Sequence, residues 1–368
     1  MKILQLTPFY DPHLGGVETH VKFLNKELIK SGHEVSVLTQ RHDANLPLQQ
    51  IKDGVEIVRI DTETKHYSKL NYKLTVWQQI AKHSRLLLQA DVIHVHDVYW
   101  WLLPVLPLFW SKTYLTFHGW EGKFPVPWKN KLARWLWSKL ALKTIHIGDY
   151  IKEFYWDEPD MVIYGGVAVK KKVVPKKINK VKKVNREARE AALGHGEARE
   201  GALGYKKFQI VFVGRLELEN DIEKYLSLAK KLKSILDIEI IWVGDGSYKE
   251  ECQQSGVVTG MVNDLTSYIA KADLIWSASY LSILEAQALG KIVCSFYSHY
   301  LKELYIKFYP GSTYMLVEYK VEQMKKQIVN LIDNPQVFNR YSQQAQQWSS
   351  QQTWKKVADK YQQLWSPK

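Results

Sequence analysis

At 368 residues the chain is longer than one hydrophobic core ordinarily serves, so two domains of similar size are expected. Its two cysteines, Cys252 and Cys294, lie far apart and outside any metal-ligand spacing, which excludes a disulfide framework or a cysteine zinc site and points to a reducing, cytoplasmic setting. The net charge of +13 suggests nucleic acid until it is located: eight lysines and no acid fall between Lys170 and Lys183, and no nucleic-acid-binding motif accompanies them.

The chain opens on an apolar strand, Lys2 to Thr7, with no charged region before it, so no signal peptide is expected. A helix from about Val17 to Lys30 and a strand from Glu34 to Thr39 follow. Further strands are predicted at Val55 to Ile60, Val92 to His96, Tyr114 to Phe117, Thr144 to Ile147 and Met161 to Tyr164. The most apolar segment, Val98 to Trp110, is interrupted by Pro104 and Pro107 and falls short of the ~20 residues that span a bilayer. Alternation of strand and helix is the rhythm of a doubly wound parallel sheet. It restarts at Phe208 to Val213 and runs through Glu239 to Val243, Val257 to Thr259, Leu274 to Trp276 and Ile292 to Phe296.

Everything from Val317 onward reads as helix, with Val321 to Ile332 and a Gln- and Trp-rich stretch from Phe338 to Leu364. The expected organisation is an N-terminal Rossmann-like domain (1–169), a basic low-complexity linker or insertion (170–207), a second Rossmann-like domain (208–345) and a terminal helix (346–368) packing back at the domain junction. Near-duplicate octets, Glu187 to Gly194 and Glu197 to Gly204, mark the linker as text that buries little apolar surface.

Chemistry-bearing residues gather where strands end. After the first strand, Gly15 and Gly16 open a helix, where bare backbone and free N–H groups let a phosphate come close. The pattern is not G-x-G-x-x-G, which argues against a nicotinamide cofactor. The segments His94-Val-His-Asp97 and Thr116-Phe-His-Gly119 put polar groups at the carboxyl ends of two strands, the ligand-binding edge of open α/β sheets. His94 reads as a satisfied half-buried residue and His118 as a site residue. In the second half, Val213-Gly-Arg-Leu216 offers a guanidinium that can grip a diphosphate bidentately and neutralise it without a metal ion. Val243-Gly-Asp-Gly246 and Thr259-Gly-Met261 supply two more glycine-bearing strand ends, and Glu285, among small apolar neighbours, can accept both hydroxyls of a ribose.

Taken in order, Gly15-Gly16, His94-x-His96-Asp97, Thr116-Phe-His118-Gly119, Val213-Gly-Arg215-Leu216, Gly244-Asp-Gly246, Gly260 and Leu284-Glu285-Ala-x-Ala-x-Gly290 resemble the large family of retaining GT-B glycosyltransferases that includes phosphatidylinositol mannosyltransferases and sucrose synthases. The resemblance implies two Rossmann-like domains facing a cleft and transfer of a sugar from a nucleotide diphosphate donor with retention of configuration. It implies no cofactor and no metal. Residue by residue, it puts Gly16 beside the donor diphosphate, His118 against the transferred sugar, Arg215 on the diphosphate and Glu285 on the ribose. The catalytic candidates are thus His118 and Arg215, and the donor-binding set is Gly15, Gly16, Arg215, Lys224, Gly244, Gly246, Gly260, Met261, Ser282, Ile283 and Glu285. The acceptor candidates are His13, Asp97, Trp100 and Trp120.

Two positions depart from the family pattern. Asn220 stands where a lysine is usual, with Lys224 one helical turn on as its possible substitute, and Ser277 stands where the family has an acid eight residues before Glu285. Loss of one charge-assisted contact to a diphosphate costs ~1.5–3 kcal/mol. A catalytically impaired nucleotide-sugar-binding or scaffold protein is therefore the alternative to an active transferase, and a nucleotide-sugar epimerase a third reading. Between Trp128 and Lys143, indoles and cations share a helix, which suits the surface of an anionic membrane, a helix packed on the sheet, or stacking on a sugar acceptor. The expected partners are a nucleotide sugar and a glycan or lipid-linked acceptor, with no nucleic acid, at a cytoplasmic location that extends to the inner membrane face.

Overall fold

The computed structural model describes residues 1–62, 68–168 and 207–366. The expected linker, 170–207, lies outside the described residues but for Lys207. The chain forms two compact units: Met1–Ala168 with Gln352–Lys368, and Val169–Gln351.

The first unit is built on an eight-stranded sheet. Its strands are β1 (Lys2–Leu6), β2 (Glu34–Gln40), β3 (Gln49–Lys52), β4 (Val55–Ile60), β5 (Val92–His96), β6 (Thr113–Phe117), β7 (Lys143–His146) and β8 (Met161–Val162), in the spatial order β3-β4-β2-β1-β5-β6-β7-β8. All neighbours pair in parallel except β3, which runs antiparallel to β4. β3 leaves no trace in the sequence, because Gln-Gln-Ile-Lys carries no apolar alternation. It is an edge strand with Ile51 81% exposed, and its backbone pairing alone defines it. β5, by contrast, is flanked on both sides and every residue in it is buried.

The second unit carries a six-stranded parallel sheet of β9 (Phe208–Val213), β10 (Ile238–Val243), β11 (Val257–Gly260), β12 (Leu274–Trp276), β13 (Ile292–Phe296) and β14 (Met315–Glu318), in the order β11-β10-β9-β12-β13-β14. Central β9 reads Phe-Gln-Ile-Val-Phe-Val because it is covered on both faces. Phe212, Tyr225, Trp242, Trp276 and Phe296 fill one side as tilted and edge-to-face rings. β14 corrects the expectation of helix from Val317 onward: Val317 and Glu318 pair with Ser295 and Phe296 at the sheet edge, where four residues of ladder leave too little pattern to read.

The helical tail is three segments, Val321–Asp333, Pro335–Ser349 and Trp354–Trp365, the last two separated at residues 350–353. The helix Trp354–Trp365 belongs to the first unit, as expected of a chain whose end crosses back. Trp354, Val357, Ala358, Tyr361, Leu364 and Trp365 recur at three- and four-residue spacing and are all buried, with Phe23 of helix Gly16–Lys30 stacked on Trp354 at 5.4 Å.

Candidate active site

Strand order locates the candidate residues before any side chain is considered. In the first sheet, the direction of winding reverses between β1 and β5; in the second, between β9 and β12. Ligands bind outside the carboxyl ends of strands at such reversals. Gly15 and Gly16 follow β1, Asp97 follows β5, Arg215 follows β9 and Ser277 follows β12.

In the first unit, that edge is a group of hydrogen-bonded rings. His96 is fully buried and uses both ring nitrogens: Nδ1 lies 2.8 Å from Nε2 of His118, and Nε2 lies 2.8 Å from Oε1 of Gln5. A second chain starts at the last helix, where the Trp365 indole N–H donates to Nδ1 of His94 at 3.0 Å. His94 Nε2 is 2.7 Å from the Thr116 hydroxyl, which is 3.1 Å from the Tyr361 hydroxyl, itself 3.0 Å from Nε2 of His20. An indole only donates, so protons run one way, from Trp365 to His20. His94 is thus a satisfied core residue, as its sequence context suggests. Burial holds His20, His94 and His96 well below the ordinary histidine range, and burial together with the Arg134 charge pushes His118 down to about 3. All four rings are neutral at physiological pH.

The loop carrying His118 is held from both sides. Asp97, in the left-handed region at φ 62°, accepts the His118 backbone N–H on Oδ1 at 2.9 Å. Arg134, 4% exposed, donates to the Gly119 carbonyl, pairs with Glu121 at 3.2 Å and lies over the rings of Phe117 and Tyr155. Desolvation raises Asp97 to about 6 despite Arg134. Asp97, expected at the acceptor, therefore spends one oxygen on positioning His118. Trp100 is half-buried beside Tyr72, and its carbonyl accepts the Trp77 indole N–H at 3.0 Å. Trp120 is half-buried and edge-on to Tyr150, while His13 packs on Phe9 and sits 3.0 Å from Glu18. Gly15 caps helix Gly16–Lys30, and a Cβ at Gly16 would meet nothing within 4 Å, so the fold itself does not demand glycine there.

In the second unit the edge is open and made of backbone. Gly244 has φ 151°, and a Cβ on it would stand 1.9 Å from the Gly214 carbonyl oxygen, so only glycine permits this approach of the β9 and β10 ends. Gly246 and Gly260 share this edge, and Met261 beyond them is 56% exposed. The Arg215 side chain is 68% exposed and pairs with Glu219, four residues on. Glu285, on helix Tyr280–Ala288, accepts the Thr266 hydroxyl hydrogen bond, with half-buried Ser282 one turn before it.

Two candidates are engaged locally. Lys224 Nζ donates to the Tyr297 carbonyl at 2.5 Å and lies 4.2 Å from the Tyr319 ring centre. The Ile283 side chain is fully buried and its N–H bonds the Ser279 carbonyl at 2.9 Å, so neither faces outward for a donor. Asn220 itself donates to the Arg215 carbonyl at 2.9 Å, and buried Ser277 donates to the Val213 carbonyl at 2.9 Å, so both departures from the family pattern serve the backbone.

Comparison with known proteins adds the family. Residues 14–170 match Glycosyltransferase Family 4, and residues 207–334 match Glycosyl transferases group 1. The chain belongs to the group 1 glycosyltransferases of the GT-B fold. Over 99% of its length and 98% of the relative's, this glycosyltransferase is 22% identical to an uncharacterised glycosyltransferase of Methanocaldococcus jannaschii. Its fold is shared with sucrose-phosphate synthase from Thermosynechococcus elongatus (TM-score 0.73, 15% identity, 99% of this chain and 98% of the other). It is also shared with Anabaena HepE, solved in complex with UDP and glucose (TM-score 0.65, 16% identity, 98% of each chain).

Residues that sequence reading passed over are Gln5, His20, Arg134, Thr266, Tyr361 and Trp365. A signal existed for some: Gln5 is the one polar residue inside strand Lys2–Leu6, and Tyr361 and Trp365 share one face of the last helix. Arg134 gave none, since it sits among four lysines of an outwardly basic segment and is nonetheless buried.

Proposed function

We propose that this glycosyltransferase moves a hexosyl group from a nucleoside diphosphate sugar to a lipid-linked or glycan acceptor with retention of configuration and without a divalent cation. The observation that carries this reading is the glycine-built end of β9 and β10, where only glycine allows the two strand ends to approach and the exposed Arg215 guanidinium stands beside them. There the protein's main task is to offset charge on the departing diphosphate, and a guanidinium with backbone N–H groups does so. Glu285, already oriented by Thr266, takes the ribose. HepE, bound to UDP and glucose, makes a uridine donor the first to test.

Separate Arg215→Ala and Glu285→Ala variants are each expected to lose transfer from the correct donor by about 100-fold or more. Full activity in both would remove the donor site assigned here. Thermal-shift screening of uridine, guanosine, adenosine and thymidine diphosphates and their sugars identifies the donor, since a ligand of the native state raises apparent stability.

The acceptor side of the proposal rests on helix Trp128–Leu140, where Trp128, Leu132, Trp135 and Leu136 are 60, 41, 38 and 48% exposed beside Lys129, Lys131 and Lys139. Indoles and lysines on one exposed surface suit an anionic bilayer. No helix among the described residues is long and apolar enough to cross a membrane. Flotation with vesicles containing anionic lipid should fall on replacing Trp128 and Trp135 by alanine.

A second reading, a nucleotide-sugar-binding protein without turnover, is favoured by Asn220 and Ser277, which bond backbone where the family carries charge. Stabilisation by a nucleoside diphosphate with no transfer or release of sugar from any donor would select it.

A further inference from the structure

The geometry points to Gln5 and His96 as positioning residues that hold His118 as its Nε2–H tautomer, leaving Nδ1 as an acceptor for a hydroxyl of the transferred sugar. The inference rests on the reading of His118 as the residue that meets that sugar, and it adds how the ring is prepared.

His96 is a neutral, fully buried imidazole and so owns one N–H for its two hydrogen bonds. The Gln5 carbonyl oxygen, 2.8 Å from His96 Nε2, can only accept, so the proton sits on Nε2. His96 Nδ1 is then a lone pair, and the 2.8 Å contact exists only if His118 Nε2 supplies the hydrogen. A neutral His118 with its proton on Nε2 has an unprotonated Nδ1, and among the described residues no partner occupies that atom. The backbone of His118 is fixed independently by Asp97. Position and tautomer therefore have separate causes, one on each side of the ring.

Direction in this chain is set entirely by the Gln5 amide. Turned over, its NH2 would donate to His96, every proton along the line would reverse, and His118 would present an N–H to the sugar in place of a lone pair. A sugar hydroxyl can serve either ring, but it must rotate to do so, and a fixed tautomer selects one hydroxyl geometry in advance. β1 supplies Gln5 at a fully buried position, where its Oε1 is bonded to His96 and its Nε2 has no partner among the described residues.

Two-bond proton–nitrogen correlation spectra of histidine-labelled, ligand-free protein test this directly. The expected result is His118 as the Nε2–H tautomer in the parent chain, and a mixture of tautomers in Gln5→Met, with kcat/KM for transfer lowered about 10-fold. A parent His118 bearing its proton on Nδ1, or a Gln5→Met protein that keeps the pure Nε2–H form, overturns the inference. Should Gln5→Met fail to fold, the parent spectrum decides alone. Failure of every nucleoside diphosphate sugar to stabilise a parent protein whose His118 shows the expected tautomer would sink the donor reading and, with it, the sugar-facing half of this inference, while the Gln5–His96–His118 proton order stands.

Discussion

The carboxyl edges of the two sheets occupy equivalent places in two similar folds, yet they are made of different material. In the first unit the edge is a packed group of polar side chains in two hydrogen-bonded lines: Gln5, His20, His94, His96, Thr116, Tyr361 and Trp365 are all at most 4% exposed, and the two lines meet through the rings of His20, His94 and His96. In the second it is glycine backbone with an arginine that is 68% exposed. A packed polar group couples function to stability, because each member is both a packing element and a polar group that must be satisfied. An exposed edge separates them, since pairs such as Arg215–Glu219 contribute little to folding and exchange readily for a ligand.

The sharpest way to break this contrast is Gly16→Ala, which sits in the first unit but at an open position. With nothing within 4 Å of the new methyl, the melting temperature should hold, and under the proposed donor site transfer should fall about 100-fold as the methyl obstructs the helix end. A loss of stability equal to the loss of activity would show that position 16 belongs to the packed group. Next comes Tyr361→Phe, which deletes one oxygen from the proton line between Thr116 and His20. Leaving those two buried groups without their partner should cost about 1–3 kcal/mol in denaturant unfolding, from a residue far along the chain from His118. A neutral result would mean that the line carries no energy.

Acid should separate the units. His20, His94, His96 and His118 have folded pKa values below the ordinary 6.5, so the unfolded chain binds more protons and native stability falls as pH drops through that value. Hydrogen exchange, corrected for intrinsic rates, is expected to show β5 and β6 losing protection between pH 7.5 and 5.0 while β9 and β10 keep theirs. Equal loss in both sheets would remove the histidines as the cause. The smallest effect belongs to Glu219→Gln, which frees Arg215 from an exposed pair and should change stability by under about 0.5 kcal/mol.

Much of this molecule was legible early. β5, β9, β12 and β13 have the bounds their apolar runs predict, because strands buried on both faces need continuous hydrophobic text. β3 and β14 were invisible for the converse reason: at a sheet edge, four residues of backbone pairing suffice and side chains are unconstrained. His118, Arg215 and Glu285 stood out because strand ends and glycines flagged them. For Lys224 and Ile283, sequence spacing shows only that a residue is near a strand end, while the bond to the Tyr297 carbonyl or burial in the core depends on elements distant in sequence.

The sequence alone determined the alternation of strand and helix, the two Rossmann-like halves and the order of their strand-end motifs, since these follow from local periodicity and from where glycine is tolerated. Only the tertiary structure decided which histidines are paired, which way their protons run and why Trp365 of the last helix bonds to His94 of β5. Those contacts join residues up to 271 positions apart, and a hydrogen bond of that span leaves no local pattern to read.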